Sequence, residues 1–330
     1  MSVTICIPSY NRADLVEETL DSIVEQTRTD WEAIVVDDGS TDGSVELIAA
    51  YARRDPRIKL RQRDREPRGA CSCRNIAVEH AAGRYVMFLD TDDLLAPFCL
   101  EQRVRVVDHE PLTDFAVFPM YVFKGKPGGE RRLWNIETED DVLVRLLRMD
   151  PICQGTGTLW RRDSFIQLGL WDEELLIWQD IELHLRAFAG QFAFTTHFDL
   201  APDVFLRESE ESLSRGQYYS RPKLNSRSIV AKRAVDILRA AGRDDLIAEV
   251  RYLCSSVALG AAASGNLDLA REMRIWGKSE GILTAMEALR LRLTELSRAS
   301  RLDRLPVFRS IRDRAARVFA IDNTVGRIEA

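Results

Sequence analysis

A doubly wound, mostly parallel α/β sheet followed by an all-helical C-terminal region is the fold this sequence predicts. Short apolar runs alternate with amphipathic helical stretches over residues 3–100, the pattern of a parallel sheet covered on both faces. Three of the first four apolar runs end in polar, turn-forming residues. After about Ser220 strand signals give way to Ala-rich and Arg-rich helical periodicity.

Val3–Ile7 reads as the first strand, and Ala13–Gln26 places Leu15, Thr19, Leu20 and Ile23 at helical spacing. Ala33–Val36 is a second strand, ending in Asp37-Asp38-Gly39-Ser40-Thr41-Asp42, and Val45, Ile48, Ala49 and Ala52 mark the helix after it. Ile58–Leu60 is a third strand and Arg74–Ala82 a helix. Tyr85–Leu89 is a fully apolar fourth strand running into Asp90-Thr91-Asp92-Asp93. Phe115–Phe123 reads as one strand, 125–132 as a loop and Thr138–Met149 as a helix. A glycine-punctuated turn, Gln154-Gly155-Thr156-Gly157-Thr158, precedes a Trp-rich region, Trp171–Arg186. The expected division is 1–218, made of 1–110 and 111–218, and then 219–330.

At 330 residues, 45% hydrophobic and 30% charged, the chain has enough apolar material for a large core. Its six cysteines form no paired framework or zinc-ligand spacing, so a reduced, cytoplasmic chain is expected. No leader segment is read at the N-terminus, and no run near the ~18 apolar residues of a membrane span. Residues 221–330 hold 21 Lys and Arg against 13 Asp and Glu, a balance of +8, which leaves −14 on residues 1–220. An acidic body with a basic tail is unlike a nucleic-acid binder.

In such sheets ligands bind outside the carboxyl ends of the strands. Asp90, Asp92 and Asp93 at a strand end could share one hard divalent ion, or cap a helix starting near Leu95. Asp37 to Asp42 could accept hydrogen bonds from a heterocycle, or form a turn with Thr41 or Asp42 as helix cap. Gly69 to Asn75 joins a basic loop to a helix start, where Arg74 could face phosphates or solvent. His184 and His197, beside apolar neighbours, read as packed core residues. Among Trp134, Trp160, Trp171 and Trp178, Trp171 reads as helical core and Trp178 as the best platform for a sugar ring.

Order and spacing add a resemblance. Pro8-Ser9-Tyr10-Asn11-Arg12, Asp37-Asp38-Gly39-Ser40-Thr41-Asp42, Gly69 to Arg74-Asn75, Ala81-Ala82-Gly83-Arg84-Tyr85 and Asp90-Thr91-Asp92-Asp93 closely resemble family 2 glycosyltransferases. The likeness extends loosely to about 215 through Trp171-Asp172-Glu173-Glu174 and Gln179-Asp180-Ile181-Glu182-Leu183-His184-Leu185-Arg186. It implies a GT-A (Rossmann-like) fold and inverting transfer of a sugar from a nucleotide diphosphate donor, most readily UDP, in polysaccharide or cell-envelope synthesis. By that resemblance Pro8, Tyr10, Arg12 and Asp38 would hold the nucleotide, with Arg74 near its ribose and phosphates and Asp90 near the ribose. Asp92 would hold Mn²⁺ or Mg²⁺. Asp180 would be the base, with Trp178 and Gln179 on the acceptor side.

One base suffices for a single in-line displacement. Glu182 and Asp172 are rival carboxylates, but Glu182 lies about 200° around a helix from Asp180. Gln179 stands where relatives carry an acid, and Ser209 where many carry a His, so a late His ligand is not expected. The implied acceptor is a glycan or a lipid-linked hydroxyl. Residues 298–319 form a basic amphipathic segment suited to the inner face of a membrane, to the body or to a second subunit, and the helical region is a candidate surface for homo-oligomers. A sugar nucleotidyltransferase is disfavoured, since the loop after the first strand has no glycine. A catalytically silent nucleotide-sugar scaffold is the alternative from another class.

Overall fold

The computed structural model describes residues 1–125, 131–190, 192–208 and 218–300. The alternation expected from sequence is present as β1 (Val3–Ser9), α1 (Val16–Val24), β2 (Trp31–Asp37), α2 (Ser44–Arg54), β3 (Ile58–Gln62), α3 (Ala70–Glu79) and β4 (Tyr85–Phe88). Both faces of β1, β2 and β4 are buried, which is why these strands read as continuous apolar runs rather than alternating ones.

The middle of the chain carries β5 (Leu94–Leu95), α4 (Cys99–His109), β6 (Phe115–Val117), β7 (Met120–Phe123), β8 (Arg131–Leu133) and α5 (Val142–Leu147). It continues through β9 (Thr158–Arg161), α6 (Arg162–Leu168), α7 (Gln179–Ala189), β10 (Phe194–Thr196) and β11 (Val204–Arg207). Four helices follow: α8 (Arg221–Ala240), α9 (Arg251–Ala263), α10 (Leu267–Ser279) and α11 (Ala285–Ala299).

The main sheet has seven strands in the order β10-β6-β9-β4-β1-β2-β3. Only β9 runs antiparallel to its neighbours. From β1 the chain steps outward to β2 and β3, then returns to β4 on the other flank of β1. The order therefore reverses between β1 and β4, where an α/β sheet opens a crevice at its carboxyl edge. Close approach at the opposite edge requires Gly83: a Cβ there would lie 2.5 Å from the backbone N of Thr4.

The sequence misleads at Phe115–Phe123, which is two strands in two sheets. Pro119 has no N–H to continue a ladder, and the chain crosses there into a four-stranded sheet of order β5-β11-β7-β8. A fully buried ion pair, Arg103 to Asp203 at 2.6 Å, ties α4 to the entry of β11.

Two apolar clusters cover the faces of the main sheet. A third joins α8 to α11 with Leu143, Leu146 and Leu147 of α5 and Ile181 and Leu185 of α7, so the helical region packs directly behind the helices on either side of the glycine turn. Asp244–Ala263 is long and apolar enough to cross a membrane by length and composition, yet its Leu246, Val250, Leu253 and Val257 lie in this cluster. Of the basic segment 298–319, residues beyond 300 lie outside the described residues.

Candidate active site

The switch point opens into a cleft of about 470 Å³. Pro8 enters it from the end of β1, Tyr10 and Arg12 from the loop after it, Asp38 after β2 and Arg74 from α3. Asp90 and Asp92 enter from the end of β4, and Trp178, Gln179 and Asp180 from the start of α7. All ten side chains singled out from sequence thus share one wall-lined space.

The loops after β1 and β2 are laced together. Asp37 Oδ2 accepts from the N–H groups of Gly39 and Ser40 at 2.9 Å each, and Asn11, at φ 50, accepts from Thr41 N–H through Oδ1 at 2.9 Å. Asp37 is spent on the turn, which leaves Asp38 for the cleft, its Oδ1 paired with Arg63. Gly39 sits at φ 89, and a Cβ would come within 2.6 Å of Arg68 Nη2, which donates to Asp38 O at 2.9 Å. The expected helix cap is corrected: Gly43 occupies the N-cap of α2. Asp42 instead bridges Ala13 N–H and Ser44 N–H; those bonds, working against burial, hold its carboxyl below the usual range.

Arg74 is not the solvated residue that its local sequence allowed; it is 6% exposed. The first turns of α3 pack between β1 and the loop carrying Trp171, which buries most of the side chain and leaves it as one wall of the cleft. Its Nη2 donates to Asp90 Oδ1 at 2.6 Å and its guanidinium lies 4.9 Å from the Trp171 ring. Nε and Nη1 are buried without a partner, as are Ser9 Oγ and Gln179 Oε1 on the same walls. Buried polar groups are nearly always satisfied, so four unsatisfied atoms around one cleft mark a place for a polar ligand.

Asp90, Asp92 and Asp93 bring carboxylate oxygens within 4.8 Å of one another. The helix-cap alternative fails, because β5 follows the aspartates and α4 begins only at Cys99. Asp93 Oδ1 accepts instead from Arg207 N–H at 2.9 Å. Burial, and then Asp90, push the Asp92 carboxyl up; burial, and then Asp92, push Asp93 well up. An all-oxygen donor set under mutual repulsion fits a hard divalent cation such as Mg²⁺ or Mn²⁺.

Asp180 Oδ1 accepts from Gly155 N–H at 2.7 Å, and among the described residues Oδ2 has no partner. The carboxylate is thus oriented by a backbone amide of the glycine turn and not by a neighbouring acid, position 179 being Gln. A Cβ on Gly155 would lie 3.1 Å from the Trp171 ring and 3.3 Å from Asp180 Oδ1. Trp178, 7% exposed, enters α7 with a left-handed φ of 64.

The rival carboxylates are engaged elsewhere: Glu182 binds Arg186 at 2.7 Å and Asp172 pairs with Arg233. His184 is fully buried and its Nδ1–H donates to Asp180 O at 2.8 Å; burial holds its pKa down. His197 stacks on Phe118, ring centres 5.6 Å apart. Trp171 is core as expected, 5.1 Å edge-on to Phe88, but it lies in the connection between α6 and α7 rather than in a helix. Ser209 lies outside the described residues.

Some lining residues carry no sequence signal of their own. Pro151, Leu176 and Ile177 reach the cleft only through the fold, whereas Trp134, one of the tryptophans weighed as a sugar platform, lines it as well. Glu173 pins the α6–α7 connection to α3, accepting from Arg65 at 2.6 Å and Asn75 at 2.9 Å.

The sequence model described as Glycosyl transferase family 2 matches residues 4–169. A putative teichuronic acid biosynthesis glycosyltransferase, TuaG of Bacillus subtilis, is 45% identical over 103 residues, 31% of this chain and 40% of that protein. An Escherichia coli protein named as the UDP-Glc:α-D-GlcNAc-diphosphoundecaprenol β-1,3-glucosyltransferase WfgD is 34% identical over 105 residues, 32% of this chain and 40% of that one. The match therefore spans well under half of either relative. A crystal structure of S. aureus TarS 1-349 in complex with UDP-GlcNAc has a TM-score of 0.62 at 14% identity, covering 100% of this chain and 99% of that one. At that identity the likeness is one of fold.

Proposed function

The chain belongs to glycosyl transferase family 2, and from that membership and the cleft we propose a metal-dependent, inverting transferase that moves a sugar from a UDP-sugar to an acceptor hydroxyl. The observation that carries the proposal is the convergence of the nucleotide-side residues, the aspartate cluster and Asp180 on one cleft.

In this reading the nucleotide half of the site belongs to 1–110 and the acceptor half to 111–218, and the C-terminal region from 219 onward supports them through α8 to α11, which pack on α5 and α7. Asp38 would accept from the base N–H, and Pro8, Tyr10 and Arg12 would flank the nucleoside. Asp90 would face the ribose. Arg74 would donate to diphosphate oxygens from Nε and Nη1, the two nitrogens left without a partner in the fold. Asp92, with its neighbours, would hold the divalent ion, which when bound neutralises charge on the diphosphate.

Asp180 Oδ2 would take the proton of the acceptor hydroxyl as that oxygen bonds to the anomeric carbon. The bond from that carbon to the diphosphate breaks in the same displacement, and the diphosphate leaves with the electron pair toward Arg74. With one carboxylate serving the acceptor, a single displacement inverts the anomeric centre. Trp178 and Gln179 would position the acceptor.

The names of the relatives support an acceptor in cell-envelope glycan synthesis, and the WfgD name supports a lipid diphosphate as its carrier. Such an acceptor would place the protein at the cytoplasmic face of the membrane. A thermal-shift screen of UDP, dTDP, GDP and CDP, each with and without Mn²⁺, tests the donor reading. A metal-dependent rise with UDP is expected; a rise with none of the four would refute it.

A further inference from the structure

The connection that delivers Trp178 and Asp180 to the cleft is held from behind by α8. Ser226 Oγ accepts from Leu176 N–H at 3.1 Å and Ile177 N–H at 3.3 Å, and donates to Ile177 O at 2.9 Å. A hydroxyl has one donor and two acceptor positions, and here all three act on two successive residues. The next residue, Arg227, is fully buried. Its guanidinium lies 5.6 Å from the Trp178 ring and 3.8 Å from the Tyr218 ring, and it donates to Tyr218 O. No carboxylate pairs with it among the described residues. Further along α8, Arg233 pairs with Asp172 at the start of the same connection.

Trp178 carries a positive φ, a conformation bulky residues rarely adopt. Such a backbone persists only where its surroundings over-determine it, and these cluster at functional sites. The surroundings here come from α8, and the residue after next is Asp180.

We infer that Ser226 and Arg227 are positioning residues for the transfer step: they fix the backbone at 176–178, and so hold Asp180 against Gly155 and Trp178 against the acceptor. The helical region is then part of the active site's support rather than an appendage. This inference rests on the assignment of Asp180 as base.

The test uses the full chain with UDP-glucose and UDP-N-acetylglucosamine as donor probes, Mn²⁺ present, and released UDP as the readout. Ser226→Ala is expected to lower kcat at least tenfold while KM for the donor and the affinity for UDP stay within twofold, because among the described residues no hydrogen bond or ion pair joins α8 to Pro8, Tyr10, Arg12, Asp38, Arg74, Asp90 or Asp92. Ser226→Thr keeps the hydroxyl and should restore most of the rate. Arg227→Met should lower kcat in the same way. Hydrogen exchange provides a readout free of any donor: amides at 179–183 should exchange faster in both damaging variants than in the wild type.

Unchanged kcat and unchanged exchange in Ser226→Ala and Arg227→Met would overturn the inference. A parallel loss of UDP affinity would overturn it too, since it would show general destabilisation. If those variants are unaffected while Asp180→Asn is inactive, the clamp alone fails; if Asp180→Asn turns over normally, the base assignment fails and takes the clamp with it. Should Ser226→Ala not fold, Arg227→Met and the exchange measurement decide.

Discussion

Replacing Arg74 with Met separates a ligand-binding arginine from a structural one. The guanidinium has one N–H engaged with Asp90 at 2.6 Å, while Nε and Nη1 are buried without partners. A hydrogen bond involving a charged group contributes about 1.5–3 kcal/mol. If the diphosphate accepts from both free groups, their loss weakens binding by roughly 3–6 kcal/mol, on the order of 10² to 10⁴ in Kd. In a thermal-shift assay with Mn²⁺, UDP at 100 times the wild-type Kd stabilises the native state by about 2.7 kcal/mol, a rise of roughly 5–10 °C. At that concentration a hundredfold weaker variant gains only about 0.4 kcal/mol, or about 1 °C. The unliganded melting temperature should change little, because burying a cation with two unmet donors is itself unfavourable and Met fills the space with apolar atoms. Wild-type UDP affinity in Arg74→Met, with a large fall in the unliganded melting temperature, would refute the reasoning and make Arg74 a structural residue.

Asp92→Asn should abolish the Mn²⁺ dependence of the UDP shift. Because the folded protein raises this carboxyl, the wild type without divalent ions loses stability as pH rises through the raised pKa, so the variant should melt higher than the wild type in chelator at pH 7 and equally near pH 3. Gly155→Ala should lower turnover about tenfold with UDP affinity unchanged, since the new methyl forces Trp171 or Asp180 to shift by a few tenths of an ångström; equal turnover would contradict Gly155 as the orienting group. Burial holds the His184 pKa below its ordinary 6.5, so as pH falls below that value the unfolded chain binds more protons than the native state. Stability should fall by up to about 1.4 kcal/mol per pH unit there, a slope that His184→Gln removes in urea unfolding at pH 7.5 and 5.5.

The parallel half of the fold was legible because fully buried strands leave unbroken apolar runs, and because their polar ends carry residues that line the cleft. Val3–Ser9 and Tyr85–Phe88 show both signals. The second sheet was not, since β5, β8 and β11 have four residues or fewer, too short for a period to emerge. Ten residues that line the cleft were singled out through their order along the chain, but not what holds them. Arg74 looks the same in sequence whether buried or exposed. The Gly155 amide and the Ser226 hydroxyl act on residues 25 and about 50 positions away, contacts made by the fold and leaving no local trace.

Asp180→Asn tests the central claim most directly. The amide keeps the size of the side chain and an oxygen for Gly155 N–H, but is no longer a base. Turnover of UDP-sugar should fall by about 10²- to 10⁴-fold, while the Kd for UDP with Mn²⁺ stays within threefold of the wild type. Turnover within threefold of the wild type would show that another group takes the acceptor's proton.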